Sequence, residues 1–302
     1  MQFSRSDLAD FYYFLTISRH RSFRRASLEL GISSSALSHA LKGLETRIGV
    51  RLLNRTNRSV TLTAAGEAFR ASIEEHLDAI DRAVDVLNQY RDVPAGRIRL
   101  NVPEDGAVHL LAPVLREFLE RYPDIQLDVG VSNRLIDVTE EGYDAGIRYG
   151  GTVPEDMIAQ RLSAPIRWVV VGAPSYFETR ERPTVPQDLT THQCLQIKLG
   201  NDRIYRWEFD KGDESVAVAV PGAITIDNSE FGRTLACNGS ALLYTPEPAV
   251  AREIAAGNLE EVLADWSSMG EGFHIYYSSR RQVPHGLRLL IELIREMQPL
   301  GL

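Results

Sequence analysis

Residues 22–48 read SFRRASLELGISSSALSHALKGLETRI, and this stretch decides the fold of the N-terminal part of the chain. Apolar residues recur there at helical spacing before Gly31, which is suited to end a helix in a left-handed turn. Ser33 is placed to cap a second helix that runs to Ile48. The pattern therefore predicts two short helices joined by a tight turn.

The second helix is predicted to have an apolar face and a polar face. The apolar face consists of Leu37, Ala40, Leu41, Leu44 and Ile48. The polar residues at and after its start, which we predict to contact DNA, are Ser33, Ser34, Ser35, Ser38, His39 and Lys42. Short polar side chains at the exposed start of a helix suit a major groove, where base edges and phosphates must be approached closely. We therefore predict a helix-turn-helix that binds double-stranded DNA.

The residues after this stretch carry further motifs. They are Leu52-Leu53-Asn54-Arg55, the basic hairpin Thr56-Asn57-Arg58-Ser59-Val60, and the helix start Leu62-Thr63-Ala64-Ala65-Gly66. This order resembles the LysR-type transcriptional regulators, in which a helix-turn-helix is followed by Leu-Phe-x-Arg, a β wing and a Leu-Thr-x-x-Gly start of a long helix. One departure is Leu53, where that family usually has Phe.

The wing adds three residues to the predicted DNA-binding set. Arg55 and Arg58, with Asn57 between them, are expected to hold the phosphate backbone or enter a neighbouring minor groove. Ser34, Ser35 and His39 are expected to contact bases, at a site that we predict to be an inverted repeat in a promoter. Arg55 is also expected to lock the wing to the rest of the head.

The distribution of charge agrees with this division of the chain. The formal net charge of the 302 residues is −8, which alone would argue against nucleic acid. Residues 1–62, however, hold 10 Lys and Arg against 4 Asp and Glu, and the remaining residues hold 23 against 37. A small basic module joined to a large acidic one is typical of a DNA-binding head on a sensor body.

Neither the start of the chain nor its cysteines indicate secretion. The start, MQFSRSDLADFYYFL, lacks the basic, apolar and small-residue order of a signal peptide. No apolar run approaches the roughly 18 residues that cross a bilayer, so we expect a cytoplasmic protein. Cys194 and Cys237 are too few and too far apart for a disulfide framework or a zinc site, and we expect two small buried residues. A redox role stays open.

A long helix is predicted from Thr63 to about Tyr90. Its apolar stripe consists of Phe69, Ile73, Leu77, Ile80, Val84 and Leu87. This near-heptad spacing, interleaved with charge, favours a partner helix. The resemblance implies an antiparallel pair in a homodimer, with a homotetramer also open. The alternative is that the stripe packs on its own body. In the first helix of the head, residues 7–18, Leu8, Phe11, Tyr12, Leu15 and Phe14 are expected in the core.

After a breaker-rich hinge at residues 92–96, strands alternate with helices, which predicts a parallel or mixed sheet. The predicted strands are Arg97–Val102, Ile125–Val131, Ala145–Arg148, Trp168–Gly172, Ile224–Ile226, Ala241–Tyr244 and Phe273–Tyr277. The predicted helices are Val108–Arg121, Leu135–Glu141, Glu230–Cys237, Pro246–Ala256 and His285–Met297.

The body also resembles the effector-binding region of the LysR-type family. The matching segments are Gly96 to Leu100, Tyr143 to Gly150, and Gly239 to Pro246. The resemblance implies an α/β fold with an all-α winged helix-turn-helix head (residues 1–62), a linker and dimerisation helix (63–91), and a two-lobed, periplasmic-binding-protein-like effector domain (92–302). Lobe 1 would take about 97–163 and 268–302, and lobe 2 about 164–267. Tyr244-Thr245 replaces two aliphatic residues of the family, which predicts a more polar pocket wall.

An effector cleft is expected between the lobes, at strand ends and helix starts where backbone N–H groups are free. The predicted lining residues are Glu104, Asp105, Ser132, Asn133, Arg148, Gln196, Asp227, Ser229 and Thr245. The turn before the helix at Glu230 could equally be a plain cap, and Arg148 could hold an anion or pair with Glu104. Carboxylates outnumber the one arginine in this set, so we expect a polar, neutral or partly cationic effector.

No enzymatic motif is present, and the seven His residues lack the spacing of metal ligands. We therefore expect no enzymatic activity, no cofactor and no metal. The favoured function is a sequence-specific DNA-binding transcription regulator controlled by a small-molecule effector. Two alternatives stay open, a small-molecule binding protein without a DNA role and an architectural DNA-binding protein that responds to no effector.

Overall fold

The computed structural model describes residues 7–55, 60–85, 93–154, 157–200, 202–278 and 283–302. The chain forms two compact units, residues 1–87 and residues 88–302. Within the described residues of the first unit, the helices are α1 (Asp7–His20), α2 (Phe23–Leu30), α3 (Ser34–Ile48) and α4 (Ala64–Asp85), and a hairpin consists of antiparallel β1 (Leu53–Arg55) and β2 (Val60–Leu62).

The helix-turn-helix forms as its caps predict. Ser22 caps α2, and its hydroxyl accepts a hydrogen bond from Arg25 N. The helix ends at Gly31, whose φ of +65° is the left-handed conformation that glycine adopts without strain. Ser33 then caps α3 through a bond from Ala36 N. The core of this unit consists of Phe14, Leu15, Ile17, Ala26, Leu37, Leu41, Leu44, Leu52 and Leu53.

The prediction that Leu8 and Tyr12 lie in the core of the head is wrong. Leu8 is 56% exposed and Tyr12 is 44% exposed, whereas Phe14 and Ile17 of the same helix are fully buried. Helix α1 contacts both α2 and α3, so its buried face is rotated toward residues 14 and 17. The spacing of apolar residues in α1 is compatible with either face, because aromatic and aliphatic residues lie all around it.

The Thr-x-x-Gly start of α4 has a direct physical reason. The Thr63 hydroxyl accepts a hydrogen bond from Gly66 N at 2.9 Å and donates one to Arg51 O at 2.7 Å. A Cβ on Gly66 would lie 2.1 Å from the backbone oxygen of Leu52. Glycine is therefore required where the first turn of α4 meets the chain just before the hairpin.

Helix α4 uses the first part of its apolar stripe within the same unit. Phe69, Ile73 and Leu77 pack against the core of the head, and the Phe69 ring lies 5.3 Å from the Phe11 ring. Ile80, further along, is 50% exposed. The first half of the stripe thus packs within its own chain, on the head, whereas the predicted partner helix is not tested by these contacts. The part of the predicted helix beyond residue 85, including Leu87 and Tyr90, lies outside the described residues.

The second unit contains a mixed five-stranded sheet in the order β4-β3-β5-β15-β6 within the described residues. Its strands are β3 (Ala95–Val102), β4 (Asp124–Val131), β5 (Ala145–Tyr149), β6 (Met157–Arg161) and β15 (Phe273–Ser278). Strand β3 is parallel to β4 and β5, whereas β15 is antiparallel to β5 and β6. Helices α5 (Ala112–Arg121) and α8 (His285–Met297) share one core with this sheet. We call this assembly lobe 1.

A second assembly, lobe 2, is built around β7. Its strands are β7 (Ile166–Gly172), β8 (Leu195–Ile197), β9 (Trp207–Lys211), β10 (Glu214–Val218), β11 (Ile224–Ile226), β12 (Leu243–Pro246), β13 (Glu260–Val262) and β14 (Met269–Gly270). Strands β12, β13 and β14 pair antiparallel with β7, and β11 pairs parallel with β8. Helices α6 (Ser229–Cys237) and α7 (Glu247–Ala255) contact β12.

Some secondary-structure predictions for this unit are wrong. The segment predicted as the helix Leu135–Glu141 is irregular and then a turn, because the Asp137 carboxylate accepts bonds from Thr139 N and Glu140 N and so competes with helix formation. A six-residue π-helix, Gly106–Leu111, precedes α5. The strand predicted at Ala241–Tyr244 is instead Leu243–Pro246. Strands β6, β8, β9, β10, β13 and β14 were not predicted.

Candidate functional sites

The start of α3 places the predicted DNA-binding serines in two different environments. Ser33 caps the helix and its hydroxyl lies 3.0 Å from that of Ser35. The Ser34 hydroxyl lies 2.8 Å from the hydroxyl of Ser27, which is buried on α2. These contacts hold the two helices of the motif at their turn. Ser33 and Ser34 thus have structural partners in addition to any role on DNA.

The exposed face of α3 is a shallow depression. It is lined by Ser35, Ser38, His39, Lys42, Gly43, Thr46 and Arg47. The His39 and Lys42 side chains are exposed and lie one helical turn apart. The structure therefore brings four predicted residues, Ser35, Ser38, His39 and Lys42, to one surface that offers hydroxyls, an imidazole and an ammonium group to a groove.

Arg55 joins the hairpin to α3. Its guanidinium donates to the Ser38 hydroxyl at 2.9 Å and lies 3.3 Å from the Glu45 carboxylate. It also lies over the Phe23 ring, 4.8 Å from the ring centre. With 30% of its side chain exposed, Arg55 has the structural role that the sequence predicted for it. Asn57 and Arg58 lie outside the described residues.

Two further residues, not predicted from the sequence, fix α3 in the head. Arg47 donates to the carboxylates of Asp7, at 2.9 Å, and Asp10 on α1. These contacts, above all the hydrogen bond that Arg47 donates to Asp10, raise the pKa of Arg47. The Glu45 carboxylate accepts bonds from Leu52 N and Leu53 N at 2.9 and 3.1 Å. The Arg47 contacts span 40 and 37 positions, so no local pattern indicates them, whereas the Glu45 contacts join the end of α3 to the start of the hairpin.

The predicted cleft contains a hydrogen-bonded cluster that joins the two lobes of the second unit. Glu104, in the turn after β3, accepts a bond from Ser229 N at 2.7 Å and one from the side-chain amide of Asn228. The Glu104 N–H donates to Asn133 Oδ1 at 3.1 Å, and Asn133 Nδ2 donates to Asp227 O at 2.9 Å. Two segments of lobe 1 thus contact the start of α6 in lobe 2.

Asp105 adds a buried carboxyl group to the cluster. It accepts a bond from the Tyr149 hydroxyl at 3.0 Å and a longer one, 3.4 Å, from the Ser229 hydroxyl. Burial raises the pKa of Asp105, and its hydrogen bond with Tyr149 opposes that shift. Burial also lowers the pKa of the neighbouring His109. The environment therefore disfavours the charged form of both side chains.

Arg148 lies inside lobe 1, where it bonds mainly to backbone oxygens. It is 4% exposed and donates to three backbone oxygens, those of Asn101, Ile147 and Arg134, at 3.3, 2.6 and 2.6 Å. The Asn101 side chain also accepts from it. The alternative of a pair with Glu104 is wrong, because the Glu104 carboxylate accepts from Asn228 and Ser229 N at the start of α6. Arg148 anchors the segment 133–134 instead, and burial lowers its pKa.

Other predicted lining residues have partners outside the cluster. Gln196 donates to Val220 O and accepts from Thr225 within lobe 2. Thr245 is 5% exposed in β12. Asp227 is an exposed carboxylate that lies 3.5 Å from Lys198 Nζ, a cation that the sequence did not indicate. The Ser132 hydroxyl accepts from Arg134 N at 3.2 Å, next to the cluster.

The predicted polar wall at Tyr244 is wrong. Tyr244 is 1% exposed, and its hydroxyl donates to Glu208 O at 2.8 Å inside lobe 2. Its ring stacks on Trp168 and Trp207, so the side chain belongs to an aromatic core rather than to a surface.

The two cysteines lie in the second unit. Cys194 is buried, which raises its pKa to about 12, and Cys237 is half-buried. Raised thiol pKa values disfavour a reactive thiolate at both positions.

Sequence comparison shows two family matches that together span most of the chain. Residues 8–67 match the family described as bacterial regulatory helix-turn-helix protein, lysR family. Residues 91–299 match the LysR substrate binding domain. A putative transcriptional regulator of Pseudomonas aeruginosa is 35% identical over 98% of this chain and 97% of its own length. The uncharacterized HTH-type transcriptional regulator YcaN of Escherichia coli is 34% identical over 97% of this chain and 96% of its own.

Two solved structures extend the likeness to three dimensions. A full-length variant of AphB has a TM-score of 0.72 at 26% identity, and covers 95% of this chain and 97% of its own. CrgA, a LysR-type transcriptional regulator from Neisseria meningitidis, has a TM-score of 0.60 at 27% identity, and covers 98% of this chain and 99% of its own.

A helix-turn-helix followed by a two-lobed α/β domain defines a class of bacterial DNA-binding regulators. The chain belongs to the LysR family of helix-turn-helix transcriptional regulators. This confirms the family and the fold class that the sequence predicted. Its curated relatives are named as transcriptional regulators, which indicates a regulatory role. In the described part of the chain, no helix combines the length and the apolarity needed to cross a membrane.

Proposed function

We propose that this LysR-type regulator binds an inverted-repeat promoter site through α3 and the hairpin, and that a small polar molecule in the cleft of its second unit controls this binding. The boundaries 1–62, 63–91 and 92–302 for the head, the linker and the effector domain are part of the proposal. The observation that carries the effector function is the cluster at the start of α6, where side chains of both lobes converge on the first N–H groups of the helix.

The DNA-binding part is tested on the exposed face of α3. Lys42→Ala removes a positioning charge, so specific and non-specific binding should weaken together and the salt dependence should flatten by about one unit. His39→Ala should instead reduce the difference in affinity between the promoter duplex and the random duplex, because this side chain is proposed to contact bases. The measurement is fluorescence anisotropy with promoter and random duplexes at several salt concentrations. Identical behaviour of the two variants would contradict this division of roles.

Self-association through α4 is supported by the exposed part of its apolar stripe. Ile80 is 50% exposed, although it continues the stripe that Phe69, Ile73 and Leu77 begin. Ile80→Asp would place a charge in the proposed helix pair, where an unpaired charge is costly. Sedimentation velocity should then show dissociation of the dimer or tetramer, with Leu28→Asp, at a residue 77% exposed on α2, as the matched control. An unchanged oligomer would place the interface elsewhere.

The effector function is tested by a thermal-shift screen of the full chain against polar metabolites, because a ligand that prefers the folded state raises the melting temperature. A compound found in this way should lose affinity when Ser229→Ala is introduced and keep it with Ser240→Ala, a serine of lobe 2 outside the cluster. Equal affinity in both variants would contradict the assignment of the cleft.

One observation also favours a second candidate, a DNA-binding regulator that responds to no effector. The N–H of Ser229 and the amide of Asn228 already have a partner within the chain, the Glu104 carboxylate. A complete screen without any compound that stabilises the protein or changes its DNA affinity would favour this candidate.

A further inference from the structure

The start of α6 is occupied by a carboxylate from the other lobe. Helix starts leave N–H groups without partners inside the helix, and free anions commonly bind there. Here, the Glu104 carboxylate takes that place, at 2.7 Å from Ser229 N, although it lies 125 positions earlier in the chain. Its second donor, the Asn228 side chain, belongs to the residue that caps α6.

Glu104 is held in this place by lobe 1 as well. Its own N–H donates to Asn133 Oδ1, and the other end of the same amide, Nδ2, donates to Asp227 O. The neighbouring segment is fixed in turn by Arg148, which is 4% exposed and donates to Arg134 O at 2.6 Å. Gly200 of lobe 2 lies against the same segment, since a Cβ there would be 2.4 Å from Asn133 O. Backbone and side chains from both lobes therefore define one position for the carboxylate.

We propose that Glu104 is an internal ligand, a carboxylate that fills the anion position at the start of α6 and joins the two lobes. This proposal rests on the effector function proposed above and specifies its chemistry. The site excludes small carboxylates, and the effector that it accepts is neutral or cationic.

Two physical arguments support this exclusion. A side chain attached next to its binding position has an effective concentration in the millimolar range or above, which a free carboxylate at lower concentration does not match. A carboxylate that entered beside Glu104 would also meet the charge of Glu104 itself, and like charges placed together suppress binding. The sequence predicts the exclusion of carboxylates from an excess of carboxylates over arginine in the cleft. The structure does not support that reason, because Asp227 lies beside Lys198 and burial disfavours the charged form of Asp105.

The test is chemical rescue of the full-length Glu104→Ala variant by acetate. Acetate has the same carboxylate and adjoining carbon as the atoms that this substitution removes. The melting temperature of the variant should be lower than that of the wild type, and acetate should raise it by about 2–4 °C in a saturable manner. Acetamide, a neutral molecule of the same shape, and sodium chloride at equal ionic strength should have no such effect.

The controls are the wild type and Glu120→Ala, which removes an exposed carboxylate of α5. For each control, the change in melting temperature in acetate should equal the change in sodium chloride at the same ionic strength. Equal acetate responses in Glu104→Ala and the controls would overturn the proposal, as would an unchanged melting temperature of Glu104→Ala. If Glu104→Ala does not fold, the melting temperature of Glu104→Gln is measured instead. This variant keeps the shape of the Glu104 side chain but places a neutral amide opposite the Asn228 donor. A wild-type melting temperature of Glu104→Gln would then overturn the proposal.

Failure of this inference can be distinguished from failure of the effector function. Acetate rescue needs no effector, so it can succeed even if the screen of the wild type finds no compound, and then only the effector function fails. Conversely, a wild-type screen that yields a small carboxylate bound through Ser229 supports an effector function and overturns the internal ligand.

Discussion

Helices α3 and α6 begin in the same way but differ in what else binds their first turn. Ser33 caps α3 through a 3.1 Å bond from Ala36 N, and Asn228 caps α6 through a 2.7 Å bond from Phe231 N. The start of α3 is otherwise supported by α2, whereas the start of α6 also receives Glu104 from the other lobe. A cap within the same turn can be predicted from sequence, but a partner 124 residues away depends on how the sheets assemble.

The largest expected effect concerns α4, whose start combines a local cap with a close tertiary approach. Gly66→Ala should destabilise the head by about 3 kcal/mol or more, because the new Cβ would lie 2.1 Å from Leu52 O and backbone must move. Hydrogen exchange of amides in α1 and α3 measures this loss. The control is Gly43→Ala in α3, where the nearest atom is the flexible end of Arg47 at 3.3 Å.

Gly43→Ala should leave protection unchanged or increase it slightly, since alanine favours helix. Equal protection in the Gly66 and Gly43 variants would show that the head accommodates the overlap. The Leu-Thr-x-x-Gly motif would then need another physical reason than close approach.

The next effect separates the two caps directly. Asn228→Ala should destabilise the second unit by about 2–3 kcal/mol, because it removes a cap and a donor to a charged carboxylate. Ser33→Ala should cost the head about 1 kcal/mol, the usual value of a cap alone. Trp168, Trp207 and Trp266 all lie in the second unit, so the urea midpoint of tryptophan fluorescence reports on Asn228→Ala. Hydrogen exchange of α3 reports on Ser33→Ala.

A double-mutant cycle sharpens this comparison. Glu104→Ala and Asn228→Ala should be non-additive, because each removes one partner of the same hydrogen bond. Ser33→Ala and Asn228→Ala lie in separate compact units and should be additive. Additive costs for Glu104 and Asn228 would mean that the bond across the lobes does not contribute to stability.

The same distinction explains how much of the fold and the site the sequence could predict. The head was predicted in detail because its caps, its glycine turn and its basic hairpin are all encoded within a few residues of one another. Short strands such as β8 and β13 were missed, since three residues carry too little periodicity and are defined by pairing with distant strands. The helix predicted at residues 135–141 is an exception, because there the contact that prevents a helix is local: the Asp137 carboxylate accepts from Thr139 N and Glu140 N.

In the cleft, the sequence predicts which residues lie close together better than it predicts the contacts that they make. Glu104, Asp105, Asn133 and Ser229 do lie together, because strand ends and helix starts converge in an α/β domain. Lys198 was missed, since nothing near it in sequence indicates that it reaches Asp227. Contacts of this kind follow from tertiary assembly, which composition and spacing do not specify.

The smallest expected effect is a pH dependence that distinguishes Asp105 from a surface carboxylate. Burial raises its folded-state pKa above the unfolded value of about 3.9. The folded state therefore holds a proton that the unfolded state releases, and stability falls as pH rises from the unfolded pKa through the folded pKa. Asp105→Asn lacks this loss, so its stability relative to the wild type should increase over that range and then become constant.

The other groups facing Asp105 determine the design of this measurement. Tyr149 and Ser229 donate to its carboxylate, and the nearby His109 and Arg233 oppose the rise of its pKa. Burial lowers the pKa of His109 in the folded state, so stability rises as pH increases from the folded to the unfolded pKa of this side chain. The comparison is therefore made in a His109→Gln background, with urea midpoints followed by tryptophan fluorescence from about pH 4 to pH 8. A stability difference that is constant over this range, or that decreases with pH, would show that Asp105 remains charged as a surface carboxylate does.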